Sequence, residues 1–269
     1  MWKQLIEILN YSNTFISVAA AFLTYGVTIQ IGGNDALFYS VFVFFSTLAT
    51  YNFQRILRAD ELIHFESHFL NWIRTNKRLI SVLILISIAY DLVAFVVYFK
   101  ELKPVFLFLV ISMILSVLYV VSVKGHSLRS IACFKMYLIA IVWTLAVGVV
   151  PLILQEQISN EKIIFVIAHF FLIVGLCVPF DVRDLVYDSP TLKTLPQLVG
   201  IHWSKVISVV FVGLYYYLSF YLVGWSLIHL VYLLLLILLL LNMSQKRSVN
   251  YYLIIDLSIG LLGCIYVIL

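Results

Sequence analysis

Nine apolar runs, each about 18–23 residues long, follow one another along this chain of 269 residues. That is the length a helix needs to cross about 30 Å of hydrocarbon. They lie near 12–31, 36–57, 79–99, 104–123, 131–153, 162–180, 204–223, 226–243 and 250–269. In lipid every backbone N–H and C=O must be paired internally, so only helices or a closed barrel satisfy such runs. Barrel strands would be about ten residues long and strictly alternating. No such alternation occurs here, which leaves an all-α integral membrane bundle. With 64% hydrophobic and 11% charged residues, the chain could not clothe a water-facing surface; a soluble domain carries about 25% charge. No soluble domain, low-complexity tract or repeat interrupts the runs, so residues 1–269 read as a single polytopic membrane domain. The first run lacks an A-x-A-like cleavage site and reads as a retained helix.

The charges are partitioned. Of the 17 lysines and arginines, only Lys100, Lys103 and Lys162 fall in loops on one side; the other fourteen flank the runs on the opposite side. The positive-inside rule then places the N-terminus in the cytoplasm and the C-terminus across the membrane. Cys133, Cys177 and Cys264 form no C-x-x-C pair and read as packing residues. No nucleic-acid partner is indicated; membrane lipid is the expected surrounding.

The sharpest local feature follows the sixth run: Asp181-Val-Arg-Asp184-Leu-Val-Tyr-Asp188. On a continuing helix Asp181, Asp184 and Asp188 recur at i, i+3 and i+7 and share a face. Three carboxylates on one face repel unless a cation sits between them. Oxygen ligands of this kind suit Mg²⁺ together with phosphate oxygens. The alternative is a set of solvated charges at a helix end, with Arg183 pairing locally.

The longer stretch from Asp181 through Lys193-Thr194-Leu195-Pro196 to Gly200 resembles the second aspartate motif of the UbiA prenyltransferase superfamily. Tyr119, Ser122, Arg129, Lys135, Trp143 and Pro151, around the loop after the fourth run, are similar to that family's pattern at the same place. The resemblance implies a UbiA-like bundle of about nine transmembrane helices that moves an isoprenyl group from its diphosphate to a hydrophobic or aromatic acceptor. It implies Mg²⁺ on Asp181, Asp184 and Asp188, with Arg129, Lys135 and Lys193 as diphosphate partners and Tyr119 at the substrate.

The family's first motif, N-D-x-x-D-x-x-x-D, is altered. Asn52 and Asp60 remain, as the expected remnant of a second metal site, while the inner acidic positions are Phe53 and Ile56. Arg55 and Arg58 stand beside them. One reading has a guanidinium replace a metal and bind the diphosphate directly. The other makes both arginines headgroup anchors. Arg58 reads as an anchor, and Arg55 is open between the two. With the altered motif, a non-catalytic lipid-binding or scaffold protein of the same fold, or a transporter, is the alternative function.

Asp91, His169 and Asp256 lie inside apolar runs. Each is read as a hydrogen-bonded buried group, with an ion or proton pathway as the alternative. His64, Glu66 and His68 are read as part of an amphipathic interfacial helix around Glu61–Trp72, in preference to a metal site.

Overall fold

The computed structural model describes residues 2–61, 68–121, 128, 131, 133–186, 188, 192–246 and 249–269, apart from the side chains of 2–4, 60, 61 and 249. Among the described residues every regular element is helical and no strand occurs. The helices are α1 (Trp2–Tyr11), α2 (Thr14–Gln30), α3 (Ala36–Glu61), α4 (His68–Thr75), α5 (Lys77–Val97), α6 (Phe99–Leu102), α7 (Phe106–Val120), α8 (Phe134–Thr144), α9 (Val150–Ile153), α10 (Asn160–Asp184), α11 (Leu195–Val223), α12 (Leu227–Leu241) and α13 (Val249–Ile268).

All nine apolar runs are helical. Seven helices are long and apolar enough to span a membrane alone: Ala36–Ala59, Lys77–Val97, Phe99–Val120, Phe134–Ile153, Asn160–Asp184, Leu195–Val223 and Asn250–Ile268. α2 qualifies only together with α1, across a 66° bend at residues 12–13. The 15 residues of α12 rise about 22 Å, short of the hydrocarbon thickness. Two run boundaries also differ from expectation. α10 continues past residue 180 to Asp184, because its charged last turn is paired inside the protein and does not need water. α11 starts at Leu195, not near 204, and is broken at Gly200, whose φ of 76° suits glycine alone.

α10 is the hub. Its buried residues point in every direction, among them Phe165, Leu172, Val174, Leu176 and Val178, as expected of an interior helix. Pro179 lies within it and has no N–H to offer the carbonyl of Gly175. Ser208 of α11 donates its hydroxyl to that carbonyl at 2.7 Å instead. This is the repair that lets proline sit in a membrane helix. At α2 and α13 the backbones themselves meet. A Cβ added at Gly26 would strike Gly263 of α13, and one at Gly263 would strike the Phe22 carbonyl. Small residues permit such an approach. By contrast, α5 and α7 carry exposed apolar side chains, including Leu85, Val96, Leu107 and Met113, which suits a lipid-facing wall.

α8 and α9 form one rod through a π turn at Leu145–Val149, immediately before Pro151. The ring and missing N–H of proline disturb the regular ladder there. The expected interfacial helix is present from His68 as α4; residues 62–67, including His64 and Glu66, lie outside the described residues. His68 faces the hydroxyl of Tyr11 at 3.4 Å.

Candidate functional site

The acidic face expected after the sixth run is formed. Asp181 and Asp184 occupy the last turn of α10, and the turn continues to Asp188, whose N–H donates to the Asp184 carbonyl at 2.8 Å. All three side chains are buried. The cation between them is a side chain. Lys135, buried in the first turn of α8, places its Nζ 2.7 Å from Asp181 Oδ1, 3.6 Å from Asp184 Oδ2 and 3.4 Å from Asp188 Oδ2. Lys135, expected as a diphosphate partner, is therefore first a counter-ion to the acidic face.

Arg58 completes the cluster. From the last turn of α3 its two Nη atoms reach Asp184 Oδ2 at 3.2 Å and Asp188 Oδ1 at 3.1 Å. This overturns the reading of Arg58 as a headgroup anchor, since the chain fold brings α3 against the end of α10. Arg183 donates from Nε to Asp184 Oδ1 at 2.8 Å. Its guanidinium lies over the rings of Phe180 and Tyr252, 5.1 Å from each centroid. Three carboxylates are thus matched by three side-chain cations.

Arg55 does another job with part of its fork. Its Nη1 donates to the carbonyls of Asn10 at 3.2 Å and Tyr11 at 2.6 Å. These are carbonyls in the last turn of α1, beyond its own N–H ladder; the Asn10 carbonyl also accepts from the Asn13 N–H at 3.2 Å. Asn52 is fully buried. Its Nδ2 donates to the carbonyls of Ser12 at 2.8 Å and Leu48 at 2.9 Å, and its Oδ1 accepts from Asn13 Nδ2 at 3.2 Å. So Asn52 fastens the bend between α1 and α2 with both ends of its amide, in place of the expected metal remnant. The side chain of Asp60 lies outside the described residues, as do Arg129 and Ser122. Lys193 is exposed; its carbonyl accepts from the Cys133 N–H at 3.2 Å, tying the two loops together.

Beneath the cluster lies a cavity of about 540 Å³, within the usual range of about 300–1,000 Å³ for small-molecule sites. Arg55, Arg58, Lys135, Asp181, Arg183 and Asp184 line one end. Ile16, Leu138, Val142, Ile173, Leu176 and Ile259 supply apolar wall. Tyr119 lines it too, near Arg58 and Lys135. Tyr51 and Trp143 add an aromatic pair, the indole N–H donating to the phenol oxygen at 2.9 Å.

Asp256 also lines this cavity, with Arg183 and Arg55 as its electrostatic neighbours. It forms no ion pair or hydrogen bond among the described residues. The hydrogen-bonded environment expected of Asp256 is therefore not found; only the fold brings α13 to this wall. Asp91 is elsewhere, accepting from Ser46 Oγ at 2.9 Å. His169 has the bonded environment expected of it, with Nδ1 2.8 Å from the Phe165 carbonyl.

The expectation of Mg²⁺ meets this geometry directly. Among the described residues no group of three or more His, Cys, Asp or Glu side chains is arranged to hold a metal ion. The Asp181, Asp184 and Asp188 carboxylates face Lys135 and Arg58, and a metal would have to displace both. As they stand, these residues do not fit the ion.

An all-helical membrane bundle with a charged-mouthed apolar cavity is the class these features define. Its fold is that of the UbiA homologs. A UbiA homolog from Archaeoglobus fulgidus bound to DMAPP and Mg²⁺ superposes with a TM-score of 0.63 at 15% sequence identity, over 97% of each chain. A second structure of a UbiA homolog from that organism, bound to GPP and Mg²⁺, gives 0.61 at 15% identity, over 96% of this chain and 97% of that one. No protein-family model matches the sequence, and no curated protein matches it.

Proposed function

We propose that this protein moves an isoprenyl group from its diphosphate to a hydrophobic or aromatic acceptor. The observation that carries the reading is the cavity: guanidinium and ammonium groups clustered in its lining, with apolar and aromatic side chains completing the wall. An isoprenyl diphosphate has the same division of charge and grease. The ligands of the two A. fulgidus structures, DMAPP and GPP, belong to that class.

In this reaction the bond between the prenyl C1 and the diphosphate oxygen breaks, and its electron pair leaves with the diphosphate. Arginine N–H donors at the mouth stabilise the charge that develops on the leaving oxygens. The rings of Tyr51 and Trp143 shelter the allylic cation from water and attract it through their ring quadrupoles. The acceptor atom then bonds to C1 and gives up a proton, which Asp256 is placed to take. Mg²⁺, present in both neighbours, would have to be held here by Asp181, Asp184 and Asp188. Those residues do not fit it, so no step in this reading runs through a metal.

The whole chain acts as one membrane domain, and the charged mouth opens to the cytoplasm, in keeping with the fourteen positive residues on that side. The test is diphosphate release by the detergent-solubilised protein, supplied with farnesyl or geranylgeranyl diphosphate and a membrane lipid extract as acceptor source. Release that disappears in Asp184→Ala, with a prenylated product seen by mass spectrometry, is the expected result. A folded protein that neither binds nor cleaves these donors overturns the reading in favour of a non-catalytic bundle.

A further inference from the structure

We infer that the site grips a diphosphate with its own guanidinium groups, Arg55, Arg58 and Arg183, and requires no divalent metal to bind it. This rests on the prenyl-diphosphate reading and names the machinery behind it.

Four observations converge. The first is position. Lys135 Nζ stands within 3.6 Å of an oxygen on each of Asp181, Asp184 and Asp188, and Arg58 bridges two of the three. The space at the centre of the carboxylates is already held by charge-assisted hydrogen bonds. Mg²⁺ demands oxygen ligands at about 2.0–2.1 Å in near-octahedral order and gives up its water reluctantly. The second is charge. Three carboxylates face Lys135, Arg58 and Arg183, so the cluster has no surplus of negative charge to draw in a divalent ion.

The third is the opposite wall. The two positions of α3 that would carry inner carboxylates are Phe53 and Ile56. Asn52 is consumed by the α1–α2 bend. What α3 offers the cavity instead is Arg55 and Arg58. The fourth is the supply of donors. Among the described residues Arg55 uses only Nη1, Arg183 only Nε, and Arg58 one contact from each Nη. Each guanidinium has five N–H donors in a planar fork suited to phosphate oxygens. All three arginines line one cavity. On this view Asp181, Asp184 and Asp188 are positioning residues. They hold Lys135, Arg58 and Arg183 in place, as metal ligands would hold a metal.

The experiment measures equilibrium binding of geranyl S-thiolodiphosphate, an unreactive analogue, to the full chain in nanodiscs, once in excess EDTA and once in Mg²⁺. The expected result is a Kd in EDTA within about threefold of that in Mg²⁺. Arg183→Gln, at a guanidinium more exposed than that of Arg58, and Arg58→Gln should each weaken binding in EDTA by about tenfold or more. Arg58→Lys, which keeps the charge and loses the fork, should recover only part of the loss. Thermal unfolding of each variant shows that it is folded. Binding that vanishes in EDTA and returns with Mg²⁺ overturns this inference and leaves the prenyl-diphosphate reading standing. A folded protein that binds the analogue in neither condition overturns both.

Discussion

Two polar clusters are buried in this bundle, and they are opposites. At the charged mouth, Asp181, Asp184, Asp188, Lys135 and Arg58 are joined in a lattice of ion pairs that borders a cavity. Deeper in the bundle, His169, Tyr266, Tyr215 and His229 form an uncharged chain across α10, α13, α11 and α12. Its links are 3.2, 2.6 and 2.7 Å. The second cluster has a fixed direction. The Phe165 carbonyl can only accept, so His169 Nδ1 carries the proton and its Nε2 must accept from Tyr266. Tyr266 then accepts from Tyr215, and Tyr215 from the Nε2–H of His229. Every donor is used, and none of the four residues lines the cavity. Ionisable residues within membrane helices are functional suspects. The contrast shows what separates a suspect from a fastener: donors left over at a cavity wall.

The comparison breaks most easily at Lys135. Lys135→Met leaves three buried carboxylates with one counter-ion fewer. Loss of one partner from a buried ion pair typically costs about 3–5 kcal/mol. The expected outcome is a large fall in the thermal unfolding temperature in detergent, or no folded protein, with Lys135→Arg much milder. A Lys135→Met protein as stable as the wild type would show that the lattice does not hold this end of the bundle.

Asp256 comes next. If it receives the acceptor's proton, Asp256→Asn should lower single-turnover product formation by about a hundredfold. Binding of the prenyl diphosphate analogue should be unchanged. Unaltered turnover would remove Asp256 from the reaction and return it to the class of the His–Tyr chain.

Within that chain, Tyr215→Phe deletes the central hydroxyl. It leaves His229 without its acceptor and Tyr266 without one donor. A buried group left unsatisfied costs about 1–3 kcal/mol. Stability should fall by that order in chemical or thermal unfolding, and analogue binding should stay at its wild-type level. A loss of binding without a loss of stability would mean that the two clusters are coupled.

Much of this was legible in the residues. Each of the nine apolar runs proved helical, because lipid leaves a long apolar segment few other choices. The i, i+3, i+7 spacing placed the three aspartates on one face, and that face exists. Their counter-ions were not legible. Lys135 lies 46 residues before Asp181, and Arg58 more than a hundred; only packing of α3 and α8 against the end of α10 joins them. A sequence motif also names positions without saying which way a side chain turns. Asn52 keeps the family letter and is spent on the α1–α2 bend, while Arg55 and Arg58, beside the missing acids, face the cavity. Asp256 carried no motif at all. The helix ends were misplaced for a related reason: charges at 181–184 looked like the water boundary, but their partners are inside the protein.

The smallest effect tests a third kind of polar repair, one hydroxyl mending one carbonyl. Ser208→Ala should leave the Gly175 carbonyl unpaired and cost about 1 kcal/mol. The cause is Pro179, four residues on, which cannot supply the helical N–H. Pro179→Ala restores that donor and makes the Ser208 hydroxyl redundant. The cost of Ser208→Ala should therefore shrink toward zero in the Pro179→Ala background, and the double-mutant cycle isolates the coupling. If the two substitutions simply add, Ser208 does not compensate for the proline. The hub helix would then tolerate an unpaired carbonyl beside its proline.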